Sequence, residues 1–274
     1  MDGELGITLF DKAGRAQGLV CLGAQIVVYT GRPPDILRTH RKPAATVIVA
    51  LDQPMVPRYG KAGPPTRCVL CPADITLPPV SFGDGRVVMV AMAPNAPLWL
   101  ALKRYITMPE LPLLGASPIS EHISERFARV VETAISPSRL LADAEALLQP
   151  EGEGAVIMDS RVSAVIQRLH DNPSASEVRI ESLASELQLS VPRLVHLFRE
   201  HAGVSFRRYR MWARMLKAAR SLAYTSSLTE VAVAAGFTDS AHLSRSFREM
   251  FGLNPSQVFR YWRAMEDPGV AAVI

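Results

Sequence analysis

Two spacings of apolar residues divide the chain. Through residue 96 they come in short runs bounded by proline and glycine; from residue 97 they recur every three or four positions. The first spacing predicts strands and the second predicts amphipathic helices. Strand candidates are Gly18–Tyr29, Ala45–Leu51, Cys68–Leu70, and a hairpin-like pair, Asp74–Val80 and Arg86–Ala93, around the Gly83-Asp84-Gly85 turn. Residues 1–17 are mixed and polar and read as an arm. Helices are predicted near Leu98–Ile106, over Ile119–Ile135 with Ile123, Phe127 and Val130 on one face, and over Ser138–Leu148. The acidic, glycine-containing run 150–158 reads as a linker. Beyond it the pattern predicts helices at Ser160–Asp171, Ile180–Leu187, Val191–His201, Ser205–Tyr224 and Pro255–Met265.

The stretch Val231–Gly252 carries the most specific pattern. Val231, Ala232 and Ala235 share one face of a short helix, Gly236 suits the left-handed residue that ends it, and Thr238 or Asp239 can cap the next. In that next helix Leu243, Phe247 and Phe251 fall at i, i+4, i+8 and are expected inward. Ser240, Ala241, Ser244, Arg245 and Arg248 are left outward. Small and basic residues on a helix anchored by its neighbour suit a DNA major groove. The pattern occurs twice. Phe198-Arg199-Glu200 anticipates Phe247-Arg248-Glu249, each followed by a glycine at the same spacing, and Leu183-Ala184 corresponds to Val231-Ala232. A duplicated supersecondary unit is the simplest source of such a repeat. Its first copy presents Pro192, Val195, His196 and Arg199 outward. Proline cannot donate a bond to a base, so the second copy is expected to read sequence and the first to contribute more to positioning.

With these residues in view, 160–265 resembles the C-terminal DNA-binding domain of the AraC/XylS family of transcription regulators. The resemblance is carried by Ala232, Gly236, Phe237, Asp239, Leu243, Arg245, Phe247 and the run Phe251–Ser256. It implies two helix-turn-helix units joined by a long helix, with base contacts from the positions of Ser240, Ala241 and Arg245. It also implies an N-terminal cupin-like β barrel that binds a small effector, and a dimer seam in the helices after it. The expected fold class is therefore α+β: a cupin-like barrel with flanking helices over 1–96 and 97–149, the linker, and an all-α DNA-binding domain over 159–266.

Charge sharpens this division. Residues 1–158 carry 15 basic and 15 acidic side chains, whereas 159–274 carry 15 and 11. Eight of the basic residues lie within Arg193–Arg220, opposed by Glu200 alone, as expected of a segment that neutralises phosphates. The three cysteines, Cys21, Cys68 and Cys71, do not suggest a disulfide framework, and no run is apolar and long enough to span a bilayer, which points to the cytoplasm. His40 is the one histidine in 1–96, too few for a histidine-rich metal cupin; Cys68 and Cys71, three apart on one strand, point to opposite faces. No phosphate-cradling glycine loop or nucleophile elbow occurs, so no catalytic residue, metal or cofactor is expected. The partners expected are double-stranded DNA, a second copy of the chain, a small effector and, for an activator, the transcription machinery. The alternatives are a ligand-independent DNA-binding regulator whose N-terminal domain only contacts proteins, and a cupin enzyme fused to a DNA reader.

Overall fold

The computed structural model describes residues 5–10, 16–23, 26–33, 36–37, 40–41, 43–59, 61–62, 65–77, 79–93, 118–134, 136–148, 158–174, 178–222, 224–225, 227–251 and 262–264. Its N-terminal half is antiparallel β and its C-terminal half helical, the class that the two apolar spacings require. The expected helix at Leu98–Ile106 and nearly all of the 150–158 linker lie outside the described residues.

The strands are β1 (Leu5–Phe10), β2 (Ala16–Leu22), β3 (Ile26–Gly31), β4 (Ile36–Leu37), β5 (His40–Arg41), β6 (Ala45–Ala50), β7 (Val56–Tyr59), β8 (Lys61–Ala62), β9 (Cys68–Cys71), β10 (Thr76–Leu77), β11 (Val80–Ser81), β12 (Val87–Met92) and β13 (Trp262–Ala264). The largest sheet runs β13-β1-β2-β3-β12-β6-β9, and β10-β5 and β4-β11-β7-β8 form two smaller ones. Three expectations are corrected here. The polar opening segment contains β1, which pairs with β2 from Leu5 opposite Leu22. The Asp74–Val80 segment does not form a hairpin with β12, whose two edges are taken by β3 and β6. Trp262–Ala264 is not helical but a strand antiparallel to β1, with Thr8 opposite Arg263. For β12 and β13 the decisive partner is remote in sequence, and local periodicity carries no information about it.

Helices α1 (Pro118–Thr133) and α2 (Pro137–Leu148) pack on the sheet. Their apolar residues Ile123, Phe127, Leu140, Leu141 and Ala144 are buried in one cluster with Cys21, Val28, Val47, Cys68 and Val90. The stripe considered for a dimer seam is thus largely used within the chain. Close approach helps: a Cβ on Gly6 would lie 2.2 Å from the Pro137 ring. Cys68 and Cys71 belong to different clusters, on opposite faces of β9, and burial pushes the Cys68 thiol up to about 12.

The remaining helices are α3 (Ser160–Asp171), α4 (Ile180–Glu186), α5 (Val191–Ala202), α6 (Phe206–Ser221), α7 (Leu228–Ala234) and α8 (Ser240–Phe251). Among the described residues no helix is long and apolar enough to cross a membrane. The long helix α6 is buried on several sides. Phe206, Tyr209, Trp212, Ala213, Met215, Leu216 and Ala218 are all covered, while Met211 and Ala219 are half-buried. Both helical units use it, and so does the N-terminal half. Tyr209 and Phe206 meet Phe198 of α5 edge-on, with ring centroids 5.6 Å apart in each pair. Trp212, Met215, Leu216 and Ala218 join α7, α8 and Ala44 and Ala91 of the sheet region in a second cluster.

Polar contacts close the same seam. Arg208 of α6 is ion-paired with Asp74, which also pairs with Arg41, and donates from Nη2 to the Arg41 carbonyl at 3.0 Å. Arg220 donates to the Gly23 carbonyl at 2.8 Å. The Asp74 and Arg208 side chains remain 28% and 33% exposed, so such a pair contributes only about 0–1 kcal/mol. Apolar burial provides most of the cohesion.

The α3–α6 contact includes a titrating group. His170 Nε2 lies 3.0 Å from the Tyr209 hydroxyl. Burial, helped by the charge of Arg220, holds the His170 pKa below its ordinary 6.5, so the folded state keeps the ring neutral. The unfolded chain takes up that proton first as pH falls. The stability contributed by the neutral ring is therefore complete above about 6.5 and is lost as pH falls through the lower folded-state value. Urea unfolding of the wild type is expected to show a falling midpoint from pH 7.5 to 5.5, with a shallower fall for His170→Gln.

Candidate nucleic-acid interface

Helices α4–α5 and α7–α8 repeat the same construction. In each, the shorter helix ends through a residue with positive φ, Gln188 at 53° and Gly236 at 80°. The turns carry equivalent backbone bonds: Leu189 N to Ala184 O and Phe237 N to Ala232 O, both 2.8 Å. Buried Leu183-Ala184 and Val231-Ala232 hold the short helices to the core. The longer helices then begin on a capping side chain. Ser190 accepts from Arg193 N at 3.4 Å, and Asp239 Oδ1 accepts from His242 N at 2.6 Å. That bond, with the one from the Thr238 hydroxyl, holds the Asp239 carboxyl below its ordinary value. It leaves a carboxylate at a helix N-terminus, where the helix dipole favours it.

The two copies are not in strict register. The short helices correspond at an offset of 48 (183 to 231) and the longer ones at 49 (191 to 240). The extra residue is Thr238, in the second turn. Its hydroxyl is 3.1 Å from both Asp239 Oδ2 and His242 Nδ1. His242 packs edge-on against Phe237 at 5.3 Å and serves the turn.

The expected reading positions form one face on each long helix. Pro192, Val195, His196 and Arg199 are all exposed on α5, Val195 at 42%. His196 Nε2 is 3.9 Å from a Glu200 carboxylate oxygen. On α8, Ala241, Arg245 and Arg248 are exposed and Ser240 and Ser244 half-buried. Arg193, absent from the expected set, is exposed on the first turn of α5; its place one residue after Pro192 was the available signal. The inner face of α8 is corrected in part. Leu243 is buried, but Phe247 and Phe251 are half-buried while Ser246 and Met250 are covered. Strand β5 packs against α8. A second neighbour widens the covered arc beyond one i, i+4 stripe.

The basic run Arg193–Arg220 is also revised. Arg208 and Arg220 hold the N-terminal half, as described above. Arg210 and Arg214 donate from Nε to the Pro173 carbonyl at 3.0 and 3.4 Å, and Lys217 reaches Asn172 Oδ1 at 3.2 Å. Five of the eight cations are thus committed within the chain. The outward charge is concentrated on α5 and α8, with Arg207 exposed at the start of α6. Among the described residues no group of three or more His, Cys, Asp or Glu is arranged to hold a metal ion.

Comparison with known proteins agrees with this geometry. Residues 183–261 match a family described as a helix-turn-helix domain. The HTH-type transcriptional activator RhaS of Salmonella arizonae is 34% identical over 107 residues, which are 39% of this chain and 38% of that protein. The chain therefore spans well under half the length of that relative. The C-terminal domain of AraT, a response regulator from Geobacillus stearothermophilus, is 28% identical, covering 38% of this chain and 86% of that one with a TM-score of 0.35. An apo ToxT variant from Vibrio cholerae covers 86% of this chain and 97% of its own at 10% identity and a TM-score of 0.52, a likeness of fold alone.

Gly236 tests the second turn. A Cβ there would lie 2.7 Å from Ser174 Oγ, at a φ that side chains resist. Gly236→Ala is expected to cost about 1–3 kcal/mol in denaturant unfolding.

Proposed function

On the premise that residues 183–261 are a helix-turn-helix domain of the AraC/XylS type, we propose that the protein is a sequence-specific, DNA-binding transcription regulator. One observation carries the proposal. Two long helices, each started by a capping side chain and held by a buried short helix, present equivalent outward faces: Pro192, Val195, His196 and Arg199, then Ala241, Ser244, Arg245 and Arg248. Such a helix can lie in a major groove with its first turns against base edges. Two of them joined through α6 suit two successive stretches of one duplex.

Within this reading Arg245 is the principal base reader, because a guanidinium can donate twice to a guanine edge. Ser240 and Ala241, at the start of α8, face the neighbouring bases. Val195 suits a thymine methyl, and Arg199 and Arg248 suit phosphates. The antiparallel N-terminal half is a regulatory domain that responds to a small effector. Its seam with α6 and α8 supports this, since any shift of β5 is felt by the second reading helix. An effector acts only through its difference in affinity between the two arrangements. A homodimer on repeated half-sites completes the proposal, with the domains divided near 96, 149 and 158.

The test is fluorescence anisotropy on duplexes selected by the protein from a random library. Arg245→Ala is expected to weaken binding to the selected duplex by about 10- to 100-fold, with little change on scrambled DNA. Equal loss on both would reduce Arg245 to a phosphate contact, and failure to enrich any duplex would remove the proposal. Salt dependence separates the cations further. Arg199→Ala is expected to lower the slope of log affinity against log salt by about 0.9, whereas Lys217→Met, already engaged by Asn172, leaves it unchanged.

A further inference from the structure

The α3–α4 connection leads from a helix packed on the first helix-turn-helix unit to the turn of the second. Asn172-Pro173-Ser174 follows α3, which packs on α5 and α6 of the first unit. Its other side meets the turn of the second unit. Ser174 Oγ donates to the Ala234 carbonyl at 3.4 Å, and the second turn approaches so closely that a Cβ on Gly236 would lie 2.8 Å from Ser174 Cβ and 3.1 Å from its Cα. Only glycine at this point of α7–α8 lets the two segments touch.

The connection is also held from beneath. Arg210, Arg214 and Lys217 occupy i, i+4 and i+7 on α6, one row along the helix. The first two donate to the carbonyl of Pro173, whose side chain is buried and whose ring fixes its φ. The third reaches the side-chain oxygen of Asn172. Two guanidiniums thus converge on one carbonyl. Burial holds each below its ordinary pKa, and Arg210 adds to the effect on Arg214. The three side chains hold residues 172 and 173 against one row of α6.

We infer that residues 172–174, clamped by Arg210, Arg214 and Lys217 and abutting Gly236, form a strap that sets the separation and mutual rotation of reading helices α5 and α8. They thereby act as positioning residues for the spacing of DNA sub-sites. The inference rests on the DNA-binding proposal above. The second unit is otherwise held through α6, through the chain leaving it after Ser221 and through the packing of β5 on α8. Rotation of α7–α8 about α6 drives the Gly236 turn into Ser174 in one sense and lifts it away in the other. The strap is therefore a stop, and the cations keep the stop in place. One added base pair shifts a sub-site by about 3.4 Å and turns it by about 35° about the duplex. A fixed pair of readers loses one of its sub-sites; a loosened pair follows.

The experiment uses the full chain and the duplexes it selects from a random library, with the two sub-sites located by footprinting. Binding is measured on the selected spacing, on spacings changed by one base pair either way, and on duplexes with one sub-site scrambled. Wild type is expected to lose at least about tenfold on either altered spacing. Arg210→Met combined with Arg214→Met is expected to shrink that loss to less than about threefold. Its affinity for each single sub-site and its salt slope should stay as in wild type. Arg210→Lys with Arg214→Lys should restore the spacing discrimination in part. A double methionine variant that keeps the wild-type spacing profile overturns the inference, as does one that loses affinity equally on single and paired sub-sites. Should that variant fail to melt cooperatively, Ser174→Gly, which removes the stop and leaves the cations, decides by the same profile. If wild type enriches no duplex, the functional proposal fails, and that result is distinct from an unchanged profile.

Discussion

The fold depends on the burial of one helix on several sides at once. Trp212 and Tyr209, among the largest fully buried side chains in the protein, lie three residues apart on α6 and face different neighbours. Tyr209 packs with Phe198 of the first unit, and Trp212 lies in the cluster shared with α7, α8 and the sheet residues Ala44 and Ala91. A helix so enclosed cannot turn in place without opening one of its interfaces. Helices α5 and α8 are therefore both located relative to the same rigid axis, and the N-terminal sheets are located relative to it as well.

Enclosure changes what the charges on that helix do. A basic stretch beside two helix-turn-helix units looks, in one dimension, like a phosphate-binding strip. In three dimensions Arg208 and Arg220 reach the N-terminal half, and Arg210, Arg214 and Lys217 reach the α3–α4 connection. Their long apolar stems cover the helix while their ends find carbonyls and carboxylates. On the proposed DNA-binding reading, the field that faces the duplex comes from α5 and α8, whose outward arginines are exposed. Affinity and geometry are thus assigned to different cations, although all of them are neighbours in the chain.

The two units show how a duplication is used unequally. Their turns close with the same backbone bonds, but the second contains Thr238 in addition and uses glycine rather than glutamine at positive φ. The glycine lets Ser174 approach, and the threonine joins the cap network of Asp239 and His242. The second unit is thereby tied to the rest of the molecule at its turn as well as by its core. It also carries the outward face with two arginines, where the first has a proline and a valine.

The sequence by itself determined the helices of the C-terminal half. The bounds expected for α3 match those observed, and those for α5 are within one residue, because i, i+3, i+4 burial and end caps are local properties. It also determined most of the outward positions on α5 and α8, Ser240 and Ser244 being half-buried, since a helix anchored by Leu194 or Leu243 has one face left to expose. Tertiary structure alone decided the rest. The placement of β12 between β3 and β6 and the pairing of Trp262–Ala264 with β1 depend on partners far along the chain. The burial of Ser246 and Met250, on a helix against which β5 packs, and the internal commitment of the α6 cations belong to the same group. Periodicity reports that a residue has a side to hide; which surface hides it, and which charge finds a partner, depends on elements brought together only when the chain folds.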